Sequence, residues 1–450
     1  MLAVGDGRGE RVLEGRWAPH GEIVSVSGLP VPVRSPHQAR GGGALHVGQH
    51  DAAGRTLHED RAVLAAYARG VNHYLETHMD RLPVEFTLLG YKPRPWRLED
   101  TILVGLMMQQ SLSNTYKHDL TREAMYEKGD PEKVAQLFPE RTGSEHQPGS
   151  NAWAVSGAHT KSGKASVAND MHVAWSLPGV WYMTHLRGPG VNVAGVAIPG
   201  VPAIVAGRNE SIAWGITNLG FDVQDLYVPA SNQAVLERDR IAVKGMAGGE
   251  PFQQLVNAHG PIFQGPNGKP VALRWVAGEK QTFHIGLVKL NRAKNWAEFR
   301  EALKEFPGAS SNVAYADKDG NIGLQVAGQL PIRKDCNGQR VLAAGTCEWQ
   351  GFIPFEELPS FYNPAPGFIV TGNQNPFPEK YPYAVSGNFA PHYRANRILE
   401  ELRRKEKWAP EEMVKAWTVY LATQPQNDAE IGAIRAAVEK ASAHGKAVTK

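Results

Sequence analysis

A serine hydroxyl becomes a useful nucleophile only when a base takes its proton. The segment Gly149-Ser150-Asn151-Ala152-Trp153 offers one way to supply that base. If the peptide bond before Ser150 is cut, Ser150 becomes the first residue of a chain and its own α-amine can do the work. An α-amine has an ordinary pKa of about 7.7–8.0, near working pH, which suits a general base. Gly149 closes a polar, Gly/Pro-containing linker (TGSEHQPG, 142–149), and Ser150 heads an apolar, strand-like run. That is a plausible place for a cut. Alone the signal is weak, because a Gly-Ser step in a loop is structural far more often than catalytic.

Other catalytic patterns fail on their residues. GAHTKSGKA (157–165) resembles a phosphate loop, but its glycines stand one residue too far apart and Ala165 replaces the hydroxyl that would hold magnesium. There is no HExxH helix, no GxSxG nucleophile elbow and no GxGxxG at a strand–helix junction. Asn209-Glu210-Ser211 fits a glycosylation sequon, a triplet common by chance. Cys336 and Cys347 share a glycine- and charge-rich loop; they read either as unrelated free thiols or, the preferred reading, as a disulfide. Such a short closed loop is worth about 3 kcal/mol, and only in an oxidising compartment. Two cysteines alone cannot build a thiolate zinc site.

The elements that must carry Ser150 change character along the chain. Residues 1–58 are rich in Gly, Arg, His and Pro without sustained periodicity, and no structure is assigned to them. A helical segment spans 59–141. Val63, Leu64, Tyr67, Val71, Tyr74 and Leu75 mark an amphipathic helix, a second covers Leu98–Leu112, a third Asp119–Lys128, and Pro131 opens a short fourth. From 150 to 450 the pattern is strands first and helices later. Strands are predicted at 181–186, 191–198, 203–205, 212–217 and 368–371, helix at 295–306, a hairpin turn at 317–321, and helix after Pro391. Helices, then many strands, then helices imply an α+β architecture of antiparallel sheets with helices outside.

Bulk properties exclude several classes. The 450 residues carry 42% hydrophobic and 21% charged residues with net charge +3, ordinary for a globular protein and too little charge for a nucleic-acid partner. No apolar run approaches the roughly 20 residues that span a bilayer, and residues 1–8 (MLAVGDGR) have no apolar core of the kind an export signal needs.

The dispersed segments SNAWAVSG (150–157), ANDMH (168–172), WYMTHLRGPG (181–190), GVAIPGVPAIVAGRNESIAWGITN (195–218) and DVQDLYV (222–228) resemble the penicillin acylase family of N-terminal nucleophile hydrolases, which includes acyl-homoserine lactone acylases. The resemblance continues through NVAYADKDGNIG (312–323), WQGFIPFEELP (349–359), GFIVTGNQNP (367–376) and PHYRANRI (391–398), and covers most of 60–425. Several motifs in the right order are more specific than any one of them.

The resemblance implies a four-layer αββα sandwich, self-cleavage between Gly149 and Ser150, and hydrolysis of linear amides through a Ser150 acyl-enzyme. Ser150 would be nucleophile and, through its freed amine, base. Asn373 by its side-chain amide and Asn218 by its backbone N–H would form the oxyanion hole, such donors being worth about 3–4 kcal/mol each. His172 would orient the serine amine, and Arg394 would support the substrate's polar end and the cleavage step. Asp222, the Gln224 carbonyl and Asp225, with Asp119 from the upstream helix, would hold a structural calcium ion, as hard oxygen donors suit. No organic cofactor is implied. The partners implied are a small N-acyl amide (a β-lactam side chain, an acyl-homoserine lactone or similar) and the processed small and large chains as a heterodimer. Neither nucleic acid nor membrane is expected, and the location implied is periplasmic or secreted.

Each residue also has a plain reading. Asn373 alone is a turn residue satisfying backbone groups, His172 a hydrogen-bonded core histidine, Asp222 and Asp225 a solvated strand end, and Arg394 one of several helix charges. The functional reading rests on their falling together in one ordered pattern. Against the family, residues 1–58 read as an out-of-register or unrelated beginning, and the large chain reads as truncated at its C-terminus. A truncated, inactive remnant acting as a binding module, or a conventional serine hydrolase with an internal base, are the rival readings.

Overall fold

Four of the five helices described upstream of Ser150 form where the sequence predicts them, and the short helix Val84–Leu89 is the exception. The computed structural model describes residues 58–413 apart from 91, 138–148, 174–178, 231–233, 244, 280–284 and 307–308. The expectations for residues 1–57, for 142–148 of the linker and for helix beyond 413 therefore lie outside the described residues. Helix α1 (His58–His78) buries Leu64, Ala68 and Leu75 on one face. It is followed by α2 (Val84–Leu89), α3 (Leu98–Leu112), α4 (Tyr116–Lys128) and α5 (Pro131–Leu137). Asp100 stabilises the start of α3 by accepting from the Arg97 N–H at 2.7 Å while both its oxygens are held by Arg94, an acid in the first turn of the kind the helix dipole favours. Helix α4 begins three residues before the predicted Asp119.

Strands then succeed one another: β1 (Ser150–Val155), β2 (Ser166–Met171), β3 (Tyr182–Gly188), β4 (Val191–Ala197), β5 (Ile204–Arg208), β6 (Ile212–Asn218) and β7 (Gln224–Tyr227). A hairpin region adds β8 (Val235–Val243), β9 (Met246–Asn257), β10 (Gly260–Gln264) and β11 (Pro270–Trp275). Helices α6 (Gly286–Leu290) and α7 (Trp296–Lys304) lead to β12 (Ser311–Asp317), β13 (Ile322–Ala327), β14 (Pro331–Arg333), β15 (Val341–Leu342), β16 (Trp349–Phe352), β17 (Ser360–Tyr362), β18 (Phe368–Thr371) and finally α8 (Tyr393–Arg403). Strands β8–β11 are absent from the sequence-based expectation. The residues of β8 and β9 are largely exposed, so the apolar/polar alternation that reveals a half-buried strand is weak there.

Two sheets make the centre of the fold. A three-stranded sheet runs β18-β1-β2, and a seven-stranded one runs β17-β13-β12-β6-β5-β4-β3. Alternating side chains of β1 serve different layers, as period-two strands require. Trp153 and Val155 pack with Phe368, Val370 and Ala168 against Ile398 and Leu402 of α8. Ala154 faces the other way and joins Ile369, Val167, Ala316, Ile322 and Leu324 between the sheets. On the far face of the larger sheet, Trp214, Val313 and Tyr315 pack against Leu290, Phe299 and Leu303 from α6 and α7. The layers therefore run helix, sheet, sheet, helix. A six-stranded sheet, β15-β7-β11-β10-β9-β8, and a short pair, β14-β16, flank this core. Cys336 and Cys347 are joined in a disulfide within the loop between β14 and β16. No helix among the described residues is long and apolar enough to cross a membrane.

Candidate active site

Ser150 lies at the open end of β1, 9% exposed, with its register set by six paired residues of β2 from Ser150↔Met171 to Val155↔Ser166. The ladder continues one rung beyond the strand: the His172 N–H donates to the Gly149 carbonyl at 2.8 Å. Gly149 is tightly enclosed. A Cβ there would stand 3.0 Å from Arg394 Nη2 and 3.3 Å from Asn373 Oδ1, so a glycine lets those two groups close over the junction.

Asn373, just past β18, adopts a left-handed backbone (φ 69°), which asparagine tolerates better than most residues. Its Oδ1 accepts from the Ser150 N–H at 2.6 Å and from Arg394 Nη2 at 3.0 Å. Its Nδ2 donates to the Asn218 carbonyl at 2.7 Å. Arg394, on the first turn of α8, also donates through Nη1 to the Ser150 carbonyl and to Asn151 Oδ1, both at 2.7 Å. Strand pairing explains where Asn218 points. The Leu219 N–H bonds Ser310, so alternate residues of β6 face β12, and the Asn218 N–H and C=O turn away from it. The pairing of β5 with β6 ends at Trp214, which leaves that edge open beside Asn373. The side chain of Asn218 donates to the Leu112 carbonyl at 3.0 Å, docking the end of α3 beside the site.

Three residues that motif matching left without a role complete the arrangement. Asp170 Oδ2 lies 2.5 Å from His172 Nε2 and 3.2 Å from Asn151 Nδ2. Asn169 spans the two sheets. Its Nδ2 donates to the carbonyls of Asn151 (2.8 Å) and Ile216 (3.1 Å), and its Oδ1 accepts from the Ile216 N–H at 3.0 Å. Gly215 makes this possible, since a Cβ there would meet the Asn169 side chain at 2.9 Å. Asn169 thus ties the strand of Ser150 to the strand of Asn218.

Two cavities meet at Gly149. One, of ≈ 150 Å³, is lined almost wholly by apolar groups, among them Met108, Leu112, Val173, Ile198, Ile216 and Phe306, with Ser150 and His172 at its edge. The other is smaller and polar, with Asn114, Asn373, Asn388 and Arg394. Gly149, Leu112 and Asn218 border both.

The four expected calcium donors also come together, away from Ser150. Asp222 Oδ1 accepts from Thr115 Oγ1 at 2.7 Å, and Asp225 takes Arg333 Nε at 2.9 Å and Nη2 at 3.0 Å. Arg122 lies 3.3 Å from Asp119 Oδ1, while Asp119 Oδ2 is buried with no hydrogen-bond partner. Burial pushes the Asp222 carboxyl up to about 7 against the pull of Arg333. Burial, then the neighbouring Asp222, raises Asp119 well above the usual carboxylate range. As the side chains stand, Asp225 faces Arg333, and no three acidic, imidazole or thiolate groups converge as metal ligands among the described residues. The orphaned Asp119 oxygen and three carboxylates against two guanidinium groups nevertheless fit a hard cation on the Asp119–Asp222 side.

The profile of the family described as penicillin amidase matches residues 43–425, starting inside the stretch that composition sets apart. An acyl-homoserine lactone acylase QuiP of Pseudomonas aeruginosa is 27% identical over 403 residues, covering 74% of this chain and 47% of that protein. The penicillin acylase 2 proenzyme of Pseudomonas sp. is 28% identical over 400 residues, covering 76% and 51%. Among solved structures, the thermostable penicillin G acylase from Alcaligenes faecalis matches with TM-score 0.52 and 25% identity, over 59% of this chain and 51% of that one. The chain spans about half the length of the curated relatives it matches.

Proposed function

The chain belongs to the penicillin amidase family, and we propose that it is an amidohydrolase that cuts itself before Ser150 and then hydrolyses the amide of an N-acyl compound. The observation that carries this reading is the convergence of Asn373 and Arg394 on the Gly149–Ser150 junction, from elements more than two hundred residues away. Once the junction is open, Ser150 Oγ attacks the acyl carbonyl and the freed amine takes its proton, held by Asn373 Oδ1. The Asn218 N–H and Asn373 Nδ2 stabilise the oxyanion, the amine leaves with the proton returned to it, and water releases the acid. For this, Asn373 Nδ2 exchanges its bond to the Asn218 carbonyl for the substrate oxygen. His172, held by Asp170, orients the amine.

The two cavities suit the two halves of such a substrate. The apolar one takes the acyl group, and the polar one takes the leaving group beside Arg394. Substrates in the range of β-lactam side-chain amides and acyl-homoserine lactones fit this division. After cleavage the small chain stays attached through α4: Arg122 donates to the Gln339 carbonyl at 2.7 Å, Arg340 pairs with Glu123 at 2.7 Å and Lys269 with Glu127 at 2.6 Å. A calcium ion held by Asp119, Asp222 and the neighbouring Gln224 and Asp225 would neutralise buried charge and strengthen the same junction. A periplasmic or secreted location accords with the disulfide.

Intact mass and N-terminal analysis of the purified chain tests the proposal. Two chains, the larger beginning at Ser150, together with hydrolysis of an N-acyl amide, are expected. An uncut chain that still turns over an amide would overturn it.

A further inference from the structure

Self-cleavage and amide hydrolysis need an oxyanion donor at different places, because one acts on the Gly149 carbonyl and the other on a substrate carbonyl. The Asn218 N–H and Asn373 Nδ2 are assigned above to the second. Asn373 Oδ1 meanwhile accepts from the nitrogen of the bond to be cut. A third donor is already on the Gly149 oxygen: the backbone N–H of His172, at 2.8 Å. It gets there through strand register. Ser150 pairs with Met171, so the next rung joins Gly149 to His172, and the antiparallel alternation makes that rung a hydrogen-bonded one.

We infer that the His172 N–H is the oxyanion donor of self-cleavage, separate from the pair that serves amide hydrolysis. This rests on the self-cleaving reading above. In the step, Ser150 Oγ bonds to the Gly149 carbonyl carbon and the carbonyl electrons move onto its oxygen, which the His172 N–H stabilises. The bond from that carbon to the Ser150 nitrogen then breaks, and the hydroxyl proton ends on that nitrogen as the free amine. The ester so formed takes up water, giving the Gly149 carboxyl group and the Ser150 hydroxyl. The nitrogen leaves with its hydrogen bond to Asn373 Oδ1 already made, so the amine is born in the position where it acts as base. The β1–β2 ladder thus has a catalytic last rung, used once.

The test removes the N–H and keeps the side chain, by placing the α-hydroxy acid analogue of histidine at position 172 in the full chain. The same backbone exchange at Ala168, whose N–H faces Trp153 in the interior of the same ladder, is the control for loss of one strand bond. Cleavage is followed by intact mass over time, with the thermal midpoint recorded for each protein. The expected result is cleavage slowed about 10²-fold or more at 172, the size of effect typical of one oxyanion donor, and within a few-fold of normal at 168. His172→Pro, which also lacks the N–H, is expected to remain uncut. Equal rates for the 172 and 168 exchanges, at matched thermal midpoints, would overturn the inference. A normal chain that never cleaves would instead sink the function proposed above, so the two failures are distinguishable.

Discussion

The backbone N–H of Ser150 donates to Asn373 Oδ1 across 2.6 Å, although 223 residues separate them. One amide side chain therefore holds the nitrogen proposed above as the base, and its other end reaches the edge of β6, at the carbonyl of Asn218. The first prediction concerns that side chain. Asn373→Ala is expected to lower kcat for amide hydrolysis by about 10²–10³-fold, the usual effect of losing an oxyanion donor. KM should change little. Steady-state kinetics on processed protein decides it, and an unchanged kcat would remove Asn373 from the mechanism.

Asn169 is expected to position rather than react. Asn169→Leu leaves the Ile216 N–H and C=O without their inter-sheet partner and takes a second donor from the Asn151 carbonyl. Each buried group left unsatisfied costs about 1–3 kcal/mol. Denaturant unfolding should show that loss, and kcat should fall by about tenfold or more with KM nearly constant, because misplacement by about 1 Å slows reactions strongly. A variant destabilised but with normal kcat would make Asn169 a purely structural residue.

The acylation rate should follow the protonation of the Ser150 amine. Only the free base can accept the hydroxyl proton, so the rate is low below its pKa, about 7.7–8.0 when unperturbed, and rises to a plateau above it. Single-turnover kinetics between about pH 6 and 9 would reveal this. Chemical acetylation of the mature amine should abolish turnover.

The apolar cavity beside Ser150 should make uncharged acyl groups the better substrates. Each buried methylene contributes about 0.8 kcal/mol, or roughly fourfold in kcat/KM, until the cavity is filled. A series of straight-chain N-acyl amides should climb in this way and outperform a glutaryl amide of similar length. Preference for the charged acyl group would show that the cavity lined by Met108, Leu112 and Ile198 is not the acyl site.

Chelation should lower the thermal midpoint by a few degrees if calcium neutralises the Asp119–Asp222 cluster. Asp119→Asn should abolish that sensitivity, since it removes the charge carried by the orphaned oxygen. A midpoint indifferent to chelator and to added calcium would mean that Arg333 and Arg122 alone balance the cluster.

The sequence by itself determined the residue types and those elements with a clear local pattern, but not α2 or β8–β11. Helix α3 and strand β18 fall on their predicted bounds, because local periodicity and turn residues set them. The ordered motifs carried Ser150, His172, Asn218, Asn373 and Arg394 as a set. Tertiary structure alone decided how they meet. The open edge of β6 arises because β5 stops pairing at Trp214, a fact of sheet topology with no local signal. Asn169 bridges two sheets whose close approach depends on Gly215, and the donor on the Gly149 carbonyl is a backbone N–H that strand register puts there. A backbone group has no side-chain identity to read, so its role becomes visible only when the chain is folded.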